Sequence, residues 1–374
     1  HRDDGLRHAF AQGILGFPVV RELSSGWVEY QVGANTLALA MPSLTAGDPP
    51  MPKASAALQL AFGADLKNTF TLVEGTRAYV SQHIGNLDTL ETIEHFRDTL
   101  DRFERLFQIT PAVTVRDLHP GYVTSRLAED HEAGCTMTVQ HHHAHIAAVM
   151  AEHGVTRPVI GLAFDGTGYG DDGHTWGAEV LLADLCGYRR LAQLRYAPMP
   201  GGDRAAREPW RAALGYLSLE PAAAAAFSGA FDTVPGSARA VADRQIVRGI
   251  NAPLTSSMGR LFDAASAVLG VHRGPQYEGQ AAMELEWLAE SESAEEVYPF
   301  GVSTVEGTCL IDVRPLVREV VREVEAGVRP GTVARRFHRS VTEIILTICE
   351  RLREETGINK VVLSGGVFMN SLLM

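Results

Sequence analysis

The chain has four cysteines, Cys135, Cys186, Cys309 and Cys349, and no two of them form a C-x-x-C pair. That spacing excludes a zinc ribbon and a disulfide framework, and it suits a reducing cytosol, so a cytoplasmic location is expected. No block of lysines or arginines occurs, and the formal net charge is -12. Binding to a nucleic-acid backbone is thereby disfavoured, and no nucleic-acid partner is expected. No apolar run reaches the length of a membrane span and no signal-peptide pattern opens the chain, so no membrane partner is expected either. The P-loop and Rossmann spacings are both missing. So is the helical zinc-protease pattern H-E-x-x-H, because position 142 is histidine where that mechanism needs a glutamate base. No nucleophile–base pair stands out, and covalent catalysis by the chain itself is not expected. The first residue is not methionine and the last, Met374, comes shortly after a glycine turn; the expectation is a fragment at both ends.

What is present is an ordinary globular composition, 45% hydrophobic and 21% charged over 374 residues, enough for two or three compact units. Residues 1–55 form an α+β appendage and linker: a helix-like start at 5–13, then strand alternation in GWVEYQVGANTLALAM with a turn at Gly33–Asn35, then PSLTAGDPPMPKA. This order softly resembles part of a glyoxalase (vicinal oxygen chelate) module, in which Glu29 would be a ligand remnant or simply an exposed strand residue. Residues 56–157 read as a first lobe. Strands in LQLAFGADLKNTFTLVEGTRAYVSQHIG precede an amphipathic helix over Thr89–Phe107, the strand AVTVRDL, a helix over Val123–Glu132 and the strand TMTVQ. Residues 158–374 restart with the same grammar as a second lobe, expected to be cut short at the C-terminus. The strand Pro158–Phe164 breaks at Asp165 into a glycine turn; a helical section covers Arg204–Glu290; strands return near Gly307–Ile311; a long helix spans Thr332–Glu355; and KVVLSGG closes the chain. Two lobes of mixed α/β structure, with a cleft between them, are expected.

The most informative stretch is VQHHHAHIAAVMAEHGVTRPVIGLAFDGTGYGDDGHTWGAE, residues 139–179. His141 and His145 are spaced to stack on one helical face, and with Asp165 they make a three-ligand cup for a divalent metal. A solvated histidine cluster would give the same spacing. His142 and His143 point elsewhere on the helix, as weaker candidates for ligands or substrate contacts. In Asp165-Gly166-Thr167-Gly168 the glycines would let backbone N–H groups face an anion, and Ser364-Gly365-Gly366 repeats the arrangement; each alone could be a plain turn. Ser256, Ser257 and Arg260 in TSSMGRLFD would bind ribose or phosphate, or else cap and pack a helix. Glu278 would reach a ribose hydroxyl, or be solvated. Lys67 would end an apolar strand and meet an anion.

Taken in order over 58–374, GADLKNTF, SQHIGNLD, DLHPGY, VQHHHAHIAA, FDGTGYGDDG with WGAE, PGGDRAAREPWR, TSSMGRLFD, YEGQAAMELE and LSGGVF resemble the C-terminal carbamoyltransferase domain of the hydrogenase maturation protein HypF. The resemblance implies a two-lobed fold of the ASKHA (acetate/sugar kinase, heat-shock protein 70, actin) superfamily. It also implies a role in making the cyanide ligands of [NiFe] hydrogenases. Carbamoyl-adenylate, made from carbamoyl phosphate and ATP, would give its carbamoyl group to the C-terminal cysteine thiol of a HypE-like partner. Carried over, His141, His145 and Asp165 would hold iron or zinc, with Asp165, His142 and Lys67 at the chemistry. Gly166, Gly168, Ser256, Ser257, Arg260, Glu278, Gly365 and Gly366 would line the nucleotide. The chain departs from the family at Asn86 and Met369, where Asp and Gln are expected, and shows no zinc-finger or adenylating segment. Transfer to a small-molecule hydroxyl, or a scaffold that binds without turnover, are the alternatives.

Overall fold

The computed structural model describes residues 58–75, 77–227, 234–271, 277 and 279–374, with the backbone of three N-terminal strands. These are β1 (Val19–Leu23), β2 (Trp27–Val32) and β3 (Asn35–Thr36), paired antiparallel in sequence order. The strands expected in GWVEYQVGANT are there. The helix expected over 5–13, the linker before residue 56 and Glu278 lie outside the described residues, as does the Glu29 side chain.

By its internal contacts the chain divides into two units, His1–Pro158 with Ala183–Tyr188, and Val159–Leu182 with Arg189–Met374. The main sheet of the first has the order β6-β5-β4-β7-β8, from β4 (Gln59–Ala61), β5 (Thr71–Glu74), β6 (Arg77–Val80), β7 (Val113–Asp117) and β8 (Cys135–Val139). The hairpin partners β4, β5 and β6 run antiparallel; β4, β7 and β8 are parallel, because helices carry each crossover. The first crossover helix, α1 (Leu90–Phe107), is started by Thr89, whose hydroxyl accepts from the Thr92 amide. It buries Phe96, Thr99, Leu100 and Phe103 along one stripe. Phe96 meets Phe62 at 5.7 Å and Phe70 at 5.3 Å between ring centroids, and Phe103 meets Phe70 at 5.2 Å. Rings of this kind contribute roughly 1.5–3 kcal/mol each by burial, and this cluster is the centre of the unit's core. The second crossover helix, α2 (Val123–Asp130), stops two residues short of the expected Glu132. Its first amides, Val123 and Thr124, are capped by the distant Asp65 carboxylate at 2.8 and 3.0 Å. After β8 comes α3 (His141–Glu152).

The second unit is built on a sheet ordered β14-β15-β11-β10-β9-β16. Its strands are β9 (Val159–Tyr169), β10 (Thr175–Ala183), β11 (Tyr188–Leu194), β14 (Gly301–Val305), β15 (Thr308–Asp312) and β16 (Val361–Ser364), with short β12 (Ala197–Pro198) and β13 (Leu254–Thr255) beside β10. The strand expected to break at Asp165 does not. β9 continues through Asp165, Gly166, Thr167, Gly168 and Tyr169, and the chain reverses at Gly170–Gly173. Among those glycines only Gly173, at φ 76°, is left-handed; Gly166 and Gly168 stay in the ladder as strand residues without side chains.

The expected helical section over 204–290 is several helices interrupted by β13: α4 (Arg204–Arg207), α5 (Pro209–Ser218), α6 (Pro221–Ala226), α7 (Gly236–Arg248), α8 (Met258–Val268) and α9 (Gln280–Glu290). Two more follow β15, α10 (Arg314–Glu325) and α11 (Pro330–Thr356). In α8 every residue but Gly259 is buried, Arg260 and Asp263 included. A helix buried all round belongs to the middle of a core. Here it packs with Phe164 from β9 and Phe337 from α11 in one cluster. Among the described residues no helix is long and apolar enough to cross a membrane.

Candidate functional site

In the first unit the parallel register sets Asp117 opposite Val139, so β7 and β8 end level with each other. One residue later Gln140 caps α3, its Oε1 accepting from the His143 amide at 2.9 Å. The histidine run therefore begins directly beside Asp117. His141 and His145 stack along one face, ring centroids 5.0 Å apart and nearly perpendicular. His141 Nδ1 lies 2.9 Å from Asp117 Oδ2, while Asp117 Oδ1 accepts from the His119 amide at 2.8 Å. A carboxylate at Nδ1 holds the proton on that nitrogen and turns the Nε2 lone pair outward, the arrangement found behind metal-bound histidines. Burial pushes the Asp117 carboxyl up, but its bonds to His141 and to the His119 amide outweigh burial and hold it below the ordinary value. The two other histidines have different places. His143 Nε2 reaches the Asp184 carbonyl at 2.8 Å, and its ring lies against Tyr188. His142 is fully buried, with Nδ1 3.3 Å from Gln140 Nε2, so it supports the start of α3 and is placed for packing, not for the expected catalytic contact.

In the second unit the strand end and the glycine loop meet. β16 runs parallel to β9, with Ser364 beside Ala163. The next residue, Gly365, adopts φ 101° and ψ 158°, and the loop then curls into a single 3-10 turn, Gly366–Met369. The Gly366 amide faces the Asp165 carboxylate at 3.4 Å. From the other side, Ser257 caps α8 by accepting from the Arg260 amide at 3.1 Å, and its hydroxyl also lies 3.0 Å from the Asp165 carbonyl and 2.5 Å from that of Gly166. Gly259 sits so close that a Cβ there would stand 2.9 Å from Gly166 Cα. Asp165, Gly166, Ser257, Arg260 and Gly366 are thus brought together within this unit.

Arg260 is the informative member. It is 6% exposed and pairs with buried Asp263 at 3.0 Å. Its Nε and Nη1 are buried without an acceptor among the described residues. Its Nη2 would lie 3.7 Å from a Cβ at Gly166. A buried guanidinium with donors in hand beside a strand position that has no side chain, Gly166, is a ready seat for an anion.

Behind this wall is a network that sequence reasoning did not find. Glu179 on β10 is fully buried and accepts from Arg190 Nε at 2.5 Å and from Ser256 Oγ at 2.5 Å. The Arg190 guanidinium lies 3.9 Å over the Trp176 ring and reaches Tyr196 Oη at 3.0 Å. Burial raises the Glu179 carboxyl above its ordinary value against the pull of Arg190.

Three expectations are corrected by this geometry. Ser256 is wholly buried with its hydroxyl on Glu179, and the Ser257 hydroxyl is held by the β9 carbonyls; both pack the site instead of contacting a ribose. Lys67 does not end a buried strand. It is exposed at φ 49°, and its amide donates to Asn86 Oδ1 at 2.9 Å; Asn68, next to it, is the buried residue, bonded to the Phe62 and Ala64 carbonyls. Asp117 was missed although it stands in the noted segment DLHPGY; an acid at a strand end just before His-Pro is the signal that could have found it.

Two sheet-and-helix units, the second carrying a glycine loop against a strand that contains Asp165, define an α/β protein of ASKHA, Kae1-like type. Residues 54–152 match the family described as the HypF Kae1-like domain, and residues 161–374 match "Carbamoyltransferase, Kae1-like Domain, second subdomain". The chain belongs to the HypF carbamoyltransferase family. It is 39% identical to carbamoyltransferase HypF2 of Cupriavidus necator, covering 84% of this chain and 42% of that one. It is 36% identical to carbamoyltransferase HypF of Synechocystis, covering 87% and 43%. A shorter HypF homolog of Cupriavidus necator is 36% identical, covering 84% and 82%. A crystal structure of full-length HypF in the phosphate- and nucleotide-bound form superposes with a TM-score of 0.80 at 39% identity, over 85% of this chain and 49% of the other. HypF of T. kodakarensis gives 0.74 at 34% identity, over 85% and 43%. The chain therefore spans less than half the length of HypF2 and of Synechocystis HypF.

Proposed function

We propose that this chain is a cytoplasmic carbamoyl-transferring module that takes the carbamoyl group of carbamoyl-adenylate, formed from carbamoyl phosphate and ATP, and gives it to the C-terminal cysteine of a HypE-like protein during hydrogenase maturation. The observation that carries the reading is the family likeness running through both units, at 39% identity to HypF2. The chemistry fits. A thiolate of the acceptor attacks the carbamoyl carbon, an S–C bond forms, and the C–O bond to the phosphate breaks. AMP leaves with the bonding electron pair, and the thiol proton has already gone to solvent. On this reading the nucleotide lies along Gly166, Gly168, Gly365 and Gly366, with Arg260 at its phosphate. The unpartnered donors of Arg260 support that assignment. A guanidinium gives phosphate charge-assisted hydrogen bonds, roughly twice as strong as neutral ones.

His141, His145 and Asp165 are assigned to a divalent ion, iron or zinc. Two imidazoles and a carboxylate are a borderline donor set of the right kind, and the Asp117 bond to Nδ1 presents His141 in the ligating tautomer. When bound, the ion supplies Lewis-acid polarisation of the carbamoyl oxygen and neutralises phosphate charge.

The test supplies the purified chain with carbamoyl-adenylate and a HypE-like acceptor and follows the acceptor's C-terminal peptide by mass spectrometry. One carbamoyl group on the cysteine is expected, lost when that cysteine is serine. Folded, nucleotide-binding protein that transfers nothing would overturn the enzyme reading in favour of a scaffold. Elemental analysis of the wild type and of a His141→Ala/His145→Ala double variant checks the metal separately: near-stoichiometric iron or zinc in the first and none in the second.

A further inference from the structure

The glycine loop after β16 is tied down at its far end by groups that the proposed reaction does not use. Asn370, 7% exposed, follows the 3-10 turn directly. Its Nδ2 lies 3.0 Å from Nε2 of His338, and its Oδ1 accepts from the Leu372 amide at 3.0 Å. His338 sits on α11, is 1% exposed, and places Nδ1 2.7 Å from the Ala334 carbonyl. These contacts fix every proton. A carbonyl can only accept, so Nδ1 carries the hydrogen and Nε2 is the bare acceptor for the Asn370 amide. The amide cannot reverse, because its oxygen is already held by Leu372.

We infer that neutral His338 is a positioning residue: through Asn370 it holds the Gly365–Met369 loop in the shape that receives the nucleotide. This rests on the reading that Gly365 and Gly366 touch the nucleotide. A second proton, on Nε2, would face the amide N–H of Asn370 and break the clasp.

The surroundings favour the neutral ring. Phe262 from α8 stands edge-on at 5.4 Å, and Phe337 is adjacent on α11. The charged groups that act on the ring are Glu286 from α9 and Arg335 from α11. Glu286 also holds the loop, accepting from the Ser371 amide at 2.7 Å and its hydroxyl at 2.6 Å. Burial lowers the imidazole from its ordinary 6.5, outweighing the bond to Ala334 and the charge of Glu286. Since the closed loop disfavours the proton and an opened loop does not, closure is fully stabilised above pH 6.5. It weakens as pH falls from there toward the lowered value.

The experiment is amide exchange of residues 366–373, expressed as protection factors from about pH 8 to about pH 5, with ATP affinity measured in parallel. Wild type is expected to lose protection toward acid. His338→Gln places a non-titrating amide oxygen near Nε2 and keeps Glu286, so its protection should be flat across the range. His338→Phe keeps the apolar volume but strands the Asn370 amide, and its protection should fall about tenfold or more at every pH. A flat wild-type profile, or an acid loss unchanged in His338→Gln, would overturn the inference without needing the phenylalanine variant to fold. If protection moves as stated while ATP affinity does not, the clasp stands and the assignment of the glycine loop to the nucleotide fails.

Discussion

Asp117 shows how much one side chain can decide. The spacing of His141 and His145 was legible because it depends on four-residue periodicity alone. The hydrogen bond that orients His141 comes from a residue 24 positions earlier, brought over by the parallel pairing of β7 with β8. Spacing within a helix cannot report that. Asp117→Asn keeps the shape but can donate to Nδ1, which would drive the histidine proton to Nε2, the nitrogen proposed to hold the ion. Zinc affinity, measured by competition with a chelator, should fall about tenfold to a hundredfold while the helix content stays the same. Unchanged affinity would mean that His141 is oriented by something else. Ser256 and Lys67 were misplaced for a related reason: their residue types fit a binding role, and only burial or exposure in the fold decides.

At the level of elements, amphipathic helices were read to within two residues, as α11 (Pro330–Thr356) shows against an expected Thr332–Glu355. β9 was cut short because glycines read as turns, whereas here two of them serve as narrow rungs of a strand. Gly259 on α8 explains the need for narrowness. Alanine in place of a helical glycine ordinarily stabilises by up to about 1 kcal/mol. At Gly259 the added methyl would press on backbone of Gly166 and Asp165, which cannot swing away. Overpacking of that sort costs about 1–3 kcal/mol, so Gly259→Ala should lower stability on balance. Gly236, where a Cβ meets nothing, is the control: Gly236→Ala should be neutral or slightly stabilising by thermal unfolding. Equal effects at the two positions would argue against close packing of α8 on β9.

At the scale of the whole chain, the alternation of strands and helices was enough to name an α/β protein, but not to say which residues form which core. The rings do that. Phe62, Phe70, Phe96 and Phe103 share one cluster, and Phe164, Phe262 and Phe337 another. Phe96→Ala should remove about 3–5 kcal/mol from the first. The loss should show as faster amide exchange in 59–61, 71–74 and 90–107, the elements that Phe96 packs. Protection there that survives the substitution would place the centre of that core elsewhere. Buried partners such as Glu179 with Ser256 or His338 with Asn370 stayed invisible for the same reason that the cores did. Their members lie 77 and 32 positions apart, and nothing local marks them.

Gly365 carries a consequence for how the gene can vary. Its backbone angles, 101° and 158°, are open to glycine alone, and a Cβ there would sit 2.2 Å from the Phe164 carbonyl oxygen. Every missense change at that codon meets both obstacles, so in a library of single variants sorted for folded protein the position should return glycine.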